Sequence, residues 1–294
     1  MRWAQGFIAV DWGTTNRRAW RIDSTASVGA EFEDDRGVLS VERNAFPAAV
    51  AEIRQRLGDL PLLMAGMVGS NRGWVEAPYV PCPAGIEQLT SSLCWVEEGR
   101  AAIVPGLSFS GDGRCDVMRG EEVQILGAVA AGLMPPDAMV CHPGTHNKWA
   151  LAEGGAVTRF RTVMTGEIFN LLREKSILSE MLDSEVTTGE AFAEGVRRGR
   201  EPHALTAELF SIRAGVLLGE RRREDAASFL SGLLIGEDLG AGLADAPQGE
   251  ILVMGRPELT RLYAAALAQY GRSARQIDGE AAFLAGIKAI AERI

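Results

Sequence analysis

The sequence predicts an α/β protein made of two related domains. Short apolar runs of strand length alternate along the chain with longer stretches of helical period. An eight-residue segment near the start, Val10-Asp11-Trp12-Gly13-Thr14-Thr15-Asn16-Arg17, has a counterpart near the middle, Cys141-His142-Pro143-Gly144-Thr145-His146-Asn147-Lys148. Gly, Thr and Asn coincide in the two copies, and a cation follows Asn in each. Each copy heads a similar series of three strands, a helix, a strand, a helix, a strand and a helix. A length of 294 residues suits two medium domains. A boundary at Pro135-Pro136 gives domains 1–135 and 136–294, with the last helix expected to pack back toward the N-terminal domain.

Each element follows from local pattern. Residues 7–11 make a short apolar strand that ends in the turn Trp12-Gly13-Thr14-Thr15, residues 17–23 alternate with period two, and 30–35 form a third strand. Asn44 is placed to cap a helix over 46–57, with Pro47 in the first turn, where its missing N–H costs little. Leu62-Leu63-Met64 is a buried strand closed by the glycine-rich stretch 65–73. Proline-rich 76–83 is expected to be irregular, 101–104 a strand, and 115–120 a loop leading into a helix over 121–133. The order then repeats: a strand over 138–141, a turn over 142–146, and strands over 148–152 and 157–161. A long helical stretch over 166–239 is broken near Asp183, Pro202 and Glu220. A strand over 251–254 follows, then Gly255-Arg256-Pro257 opening a helix to 270, a strand over 274–277 and a last helix over 280–293.

Composition removes several function classes. With 30 Lys and Arg against 39 Asp and Glu the net charge is −9, opposite to what counterion displacement on nucleic acid requires. An anionic small molecule stays open, since a few local cations decide that. The longest apolar run, 127–134, falls short of the ~18 residues a membrane span needs. The N-terminal run 7–10 is too short for a signal-peptide core. Cys82, Cys94, Cys115 and Cys141 are widely spaced, as in a reducing compartment, and three histidines do not make a structural zinc site. The expectation is a cytoplasmic protein acting on a small molecule, without nucleic-acid or membrane partners. A homodimer is compatible with all of this.

The paired turns carry the chemistry. A Gly- and Thr-rich turn between two strands lets backbone N–H groups converge on one concavity, where they can hold phosphate oxygens. Gly13, Thr14, Thr15 and Asn16 form the first such turn, and Gly144, Thr145 and His146 the second. Facing each other across an interdomain cleft, the two could grip a triphosphate. Asp11, at the first turn, is placed to hold Mg²⁺ through its waters, because Mg²⁺ retains most of its hydration.

These turns resemble the two phosphate motifs of the actin/hexokinase/Hsp70 superfamily of ATP-binding proteins. Over its full length the chain is similar to the 2-dehydro-3-deoxygalactonokinase family. Four segments carry this: Asp11 to Asn16 with Arg18-Ala19-Trp20; Gly66-Met67-Val68-Gly69-Ser70-Asn71-Arg72-Gly73-Trp74; Met118-Arg119-Gly120-Glu121-Glu122-Val123-Gln124; and Pro143-Gly144-Thr145-His146-Asn147-Lys148-Trp149. His142 stands where many superfamily members open the second turn with Asp, which argues against a second metal contact there.

The resemblance implies two actin/hexokinase-like (ribonuclease H-like) domains with an interdomain ATP/substrate cleft, and ATP and Mg²⁺ as cofactors. It further implies phosphorylation of a sugar acid at its terminal hydroxyl. In the superfamily an acid at the start of the interdomain helix is the base, which points to Glu121 or Glu122, Glu121 first; Asp116 is a third acid nearby. A helix N-terminus also stabilises carboxylates without any catalytic role. Arg72 and Arg119, in glycine-flanked loops, suit a substrate carboxylate, and Asn71 suits sugar hydroxyls. Lys148 and His146 could meet phosphate, and Gly255 resembles the superfamily's adenosine motif. A phosphatase or polyphosphatase on the same fold, or a nucleotide-dependent switch, are the alternatives.

Overall fold

The computed structural model describes residues 3–201, 204–244 and 246–294. The chain divides into two units: Met1–Asp137 with Ala152–Phe160 and Gly279–Ile294, and Ala138–Leu151 with Arg161–Asp278.

In the first unit, β1 (Phe7–Trp12), β2 (Arg17–Ile22) and β3 (Val28–Asp34) form an antiparallel meander. Helix α1 (Phe46–Leu57) then returns the chain to β4 (Leu62–Gly66), which runs parallel to β1. Short β5 (Tyr79–Pro81) and α2 (Ile86–Ser91) lead to β6 (Cys94–Glu97) and β7 (Ala101–Ile103), and β7 extends the sheet parallel to β4. The sheet order is β3-β2-β1-β4-β7-β6. Helix α1 places Phe46, Ala49, Val50, Ile53 and Leu57 on one face, and they pack on Ile8, Val10 and Trp12 of β1 and Leu62 and Met64 of β4. Phe7 and Ala9, on the other face of β1, are buried too, so this strand is covered on both sides.

Four local expectations are corrected. Residues 76–83 are not wholly irregular, since β5 lies in a small sheet, ordered β5-β8-β9, with β8 (Gly106–Gly111) and β9 (Arg114–Met118). Much of the expected loop 115–120 is therefore strand β9. Asn44 is not the cap of α1; it lies in a single 3₁₀ turn, Arg43–Ala45, and Ala45 precedes the helix without a side-chain cap. Helix α3 (Glu121–Ala130) begins where expected and stops three residues early.

The second unit repeats the plan. β10 (Ala138–His142), β11 (Asn147–Glu153) and β12 (Ala156–Val163) open the sheet, the end of β11 and most of β12 being counted with the first unit. The long helical stretch resolves into α4 (Thr165–Lys175), α5 (Glu190–Arg200), α6 (Leu205–Leu218) and α7 (Ala226–Leu243). Breaks fall at 176–189 and 219–225, around Asp183 and Glu220. The break expected at Pro202 lies outside the described residues. β13 (Ile251–Gly255), α8 (Pro257–Gln269) and β14 (Ala274–Asp278) complete the unit, and both strands extend the sheet in parallel. Its order, β12-β11-β10-β13-β14, matches the first five strands of the other sheet position by position. The repeat seen in eight residues is thus a repeat of the whole sheet. Helix α9 (Gly279–Ala291) belongs to the first unit and packs on α3.

Candidate active site

In the first unit the site grows from the C-terminal ends of parallel strands, where open α/β sheets place their ligands. The pairing of β1 with β4 sets Asp11 opposite Ala65 and Trp12 opposite Gly66. The turn after β1 is closed by the Gly13 N–H donating to Asn16 O at 2.9 Å. Its other carbonyls are tied down by the segment after β3: Gly37, Val38 and Leu39 N–H donate to Thr15, Gly13 and Thr14 O at 3.0, 3.0 and 3.2 Å. The turn is thereby held by its carbonyls, and the Thr14 and Thr15 side chains are exposed. Asn16 donates to Glu33 at 3.4 Å. Beneath the turn Arg17 is fully buried, paired with Asp34 at 2.6 Å and lying over the Trp12 and Phe32 rings.

Asp11 keeps 21% of its side chain accessible, and one carboxylate oxygen accepts from Arg18 at 3.0 Å. Arg18 also donates to Glu280 of α9 at 3.2 Å. Among the described residues no group of three or more His, Cys, Asp or Glu is arranged around a metal site. A cation here would be carried by Asp11 and its own waters together with phosphate oxygens, which is how Mg²⁺ is commonly held. The hard carboxylate donor and its partial exposure fit that ion.

Helix α3 starts against the same sheet edge. Gly120 has φ +106°, and a Cβ there would stand 3.2 Å from Gly66 Cα, so the helix N-terminus abuts the end of β4. Glu121 is half-buried, and its carboxylate accepts from the Arg119 N–H at 3.1 Å. Glu122 is buried, and both its oxygens accept from the Gly120 N–H, at 2.8 and 2.7 Å. Burial, and secondly the neighbouring Glu121 charge, push its carboxyl up to about 8.

Arg119, expected to suit a substrate carboxylate from a glycine-flanked loop, follows β9 directly. It is buried, donates through Nη2 to Ala77 O at 2.8 Å and stacks over Tyr79 at 4.3 Å. Its Nε and Nη1 have no hydrogen-bond partner. Asn71 and Arg72 are exposed on the loop that Arg119 backs. That loop is braced by the Arg72 and Gly73 N–H groups donating to Ser70 and the Trp74 N–H to Val68 O. Asp116, the third acid, lies opposite Phe109 in β9, the strand that leads into α3. The first unit therefore brings Asp11, Gly66, Gly120, Glu121 and Glu122 to one edge, with Arg119 and its loop following directly.

The second unit has the matching edge. Pairing sets Cys141 opposite Val253, and Gly255 ends β13 with φ +148°; a Cβ on it would approach Pro143 O to 3.2 Å. Gly255 and the second turn are thus close neighbours. Thr145 and His146 are exposed as Thr14 and Thr15 are, and His146 Nε2 lies 2.5 Å from a Glu167 oxygen. A Cβ on Gly144 would meet nothing within 4 Å. Lys148 is buried, like its counterpart Arg17. Sequence reasoning quoted Arg18 within a motif but gave it no role, and it passed over Glu167 and Asp238 of α7, which binds Asn147 at the start of β11. The one signal was the acid pair Glu237-Asp238 within a mostly apolar helical run, which does not say which of the two is buried.

Comparisons with known proteins agree with this architecture. The family model for 2-keto-3-deoxy-galactonokinase matches residues 11–290. The chain is 38% identical over 292 residues to the 2-dehydro-3-deoxygalactonokinase of Escherichia coli (strain K12), covering 98% of each. It is also similar to a solved structure from Sinorhizobium meliloti provisionally given the same enzyme name. That likeness has a TM-score of 0.89 at 35% identity, covering 98% of this chain and 96% of the other. At the level of fold alone it resembles component A of the Acidaminococcus fermentans (R)-2-hydroxyglutaryl-CoA dehydratase. There the TM-score is 0.54 at 12% identity, over 98% of both chains. The two repeated sheets are those of an actin/hexokinase-like ATPase fold, and the chain belongs to the 2-keto-3-deoxy-galactonokinase family of sugar-acid kinases.

Proposed function

We propose that this enzyme transfers the γ-phosphoryl group of ATP to the terminal (6-)hydroxyl of 2-dehydro-3-deoxy-D-galactonate, giving the 6-phosphate and ADP. The observation that carries the reading is the meeting of Asp11 with the start of α3 at one sheet edge. There a phosphate-side carboxylate and a carboxylate able to take a proton stand on adjoining elements.

Phosphoryl transfer asks a protein for positioning and charge compensation, with a base near the attacking oxygen. Asp11 would hold Mg²⁺ through its waters, and the ion when bound neutralises phosphate charge. The amides of Thr14, Thr15 and Asn16, and those of Gly144, Thr145 and His146, would each take phosphate oxygens, with Gly13, whose own N–H is held by Asn16 O, closing the first turn and Lys148 adding positive charge. Gly255 would let the adenosine approach the backbone. Glu121 would accept the hydroxyl proton. Its half-buried carboxylate can reach a ligand, whereas Glu122 is enclosed and tied to the Gly120 N–H, which suits a positioning role. Arg119, with two donors unsatisfied, supplies the cation for the substrate carboxylate, assisted by Arg72, and Asn71 would bind sugar hydroxyls.

The test is ADP release from Mg-ATP, measured with 2-dehydro-3-deoxy-D-galactonate, its gluconate epimer, plain galactonate or no acid, with the phosphorylated position read by ³¹P–¹H NMR. Release that depends on the galactonate-derived keto acid, with phosphorus coupled to the C6 protons, is the expected result. Release without any acid would point to a hydrolase or a switch and sink the proposal.

A further inference from the structure

Asp238 lies in the largely apolar helix α7 beside the exposed Glu237 and is fully buried in the second unit, with no cation among its hydrogen-bond partners in the described residues. Four neutral side chains converge on its carboxylate. Asn147 Nδ2 donates to Oδ1 and Oδ2 at 3.0 and 2.8 Å, Trp149 Nε1 to Oδ1 at 2.7 Å, and Thr165 Oγ1 to Oδ2 at 2.6 Å; the Tyr263 hydroxyl also donates to Oδ2. A carboxylate can accept on about four lone-pair sites, so this one is saturated. Desolvation nonetheless holds its carboxyl above the usual range. A core that needed only packing would be as well served by an apolar residue here.

The partners share one property: each belongs to an element bearing on the turn 143–146. Asn147 and Trp149 begin β11, directly after the turn. Thr165 is the first residue of α4, whose N-terminus seats on the turn. There the Glu167 N–H donates to Thr145 O at 2.9 Å, and a Cβ on Gly166 would stand 2.4 Å from Gly144 O. Tyr263 lies on α8, the helix that follows Gly255, and Gly255 in turn lies against Pro143. One carboxylate therefore fastens together the strand after the turn, the helix beneath it and the helix after the glycine beside it.

We propose that Asp238 is a positioning residue for nucleotide binding. It fixes the second phosphate turn and the Gly255 corner relative to each other, so that both meet the same ATP without rearrangement. Pre-organisation of this kind acts on binding and orientation of the nucleotide, not on the acceptor. The inference rests on the reading of 143–146 as a phosphate turn.

The experiment compares the KM for ATP, the KM for the sugar acid, kcat and Tm in Asp238→Asn, Thr165→Val, Thr165→Ser, Tyr263→Phe and Gly144→Ala. Asp238→Asn keeps the shape but presents an amide N–H₂ to groups that are themselves donors. It is expected to raise the KM for ATP about tenfold or more, with the KM for the acid within about twofold. Thr165→Val and Tyr263→Phe each remove one donor and should raise the KM for ATP severalfold, and Thr165→Ser should restore the wild-type value. Should Asp238→Asn not fold, these single-donor variants decide the matter. A Tm loss in the series with the KM for ATP unchanged means Asp238 is merely structural, which overturns the proposal. Gly144→Ala probes the underlying reading separately, since its Cβ enters open space and does not disturb the fold. If it leaves the KM for ATP unaltered, the turn does not touch nucleotide and the inference falls with that reading.

Discussion

The guanidinium of Arg18 donates to the carboxylate of Asp11 at 3.0 Å, and its other end is held by Glu280 at the start of α9. A cation already sits where the proposed Mg²⁺ would find its carboxylate. Arg18 and the hydrated ion therefore compete for the same oxygen, and like charge raises the cost of bringing the ion in. Arg18→Gln should lower the Mg²⁺ concentration needed for half-maximal activity severalfold. Asp11→Asn should raise it and cut turnover by about 10²-fold or more, the scale for losing one electrostatic group at a reacting centre. Magnesium titrations at fixed ATP separate the two. Equal Mg²⁺ dependence in all three proteins would remove Asp11 from the metal site.

Glu121 and Glu122 are adjacent but face different surroundings. Glu121→Gln should reduce kcat by about 10²-fold or more with little change in Tm, because the side chain is only half-buried and glutamine keeps an oxygen to accept the Arg119 N–H. If Glu121→Gln and Glu122→Gln both turn over near the wild-type rate, neither is the base.

Glu122 makes a separate prediction about pH. Its folded-state carboxyl, at about 8, lies above the ordinary value of 4.5, so between those limits the folded protein binds more protons than the unfolded chain. Stability from this group is then greatest below about 4.5, declines as pH rises, and reaches its floor above about 8. Glu122→Gln removes the penalty. The Tm of this variant relative to wild type should climb steadily between pH 5 and pH 8. A pH-independent difference would mean Glu122 is ionised in the fold throughout that range.

Arg119 carries two buried donors without acceptors, each costing on the order of 1–3 kcal/mol unless a ligand or water satisfies it. Arg119→Met retains the volume over Tyr79 and discards the donors. The KM for the sugar acid should rise tenfold or more while the KM for ATP and the Tm stay close to wild type. A large Tm loss with an unchanged KM for the acid would make Arg119 a strut for the Ala77 loop and nothing else.

What the sequence could and could not disclose follows from the range of the forces involved. The two turns were legible because glycine, threonine and the flanking strands are neighbours in the chain. The start of α3 was legible because Gly120 interrupts and two acids follow. The β5-β8-β9 sheet was not, since its strands are short and residues such as Tyr79, Arg114 and Cys115 are exposed, leaving no clean alternation to read. The burial of Arg119 depends on Ala77 and Tyr79, some forty positions upstream. Glu237 and Asp238 are chemically alike and adjacent, and only the packing of α7 decides that the first is exposed and the second enclosed.

Helices α3 and α9 cross at glycine. A Cβ on Gly286 would stand 2.0 Å from Val123 O, and one on Gly127 would stand 2.1 Å from Ala282 O, so the two backbones are in direct contact. Any side chain there must force the helices apart, an overpacking that typically costs about 1–3 kcal/mol. Gly240, in the helix α7, offers the contrast: it is exposed and a Cβ on it meets nothing within 4 Å. Gly240→Ala should leave stability unchanged or raise it by up to about 1 kcal/mol, through helix propensity. Gly286→Ala should lower Tm clearly. It should also depress kcat, because α3 presents Glu121 and α9 presents Glu280 to Arg18 and hence to Asp11. Urea unfolding and steady-state rates on the same two variants decide it: matching behaviour of Gly286→Ala and Gly240→Ala would show that the α3–α9 contact has room to spare and does not set the geometry of the edge.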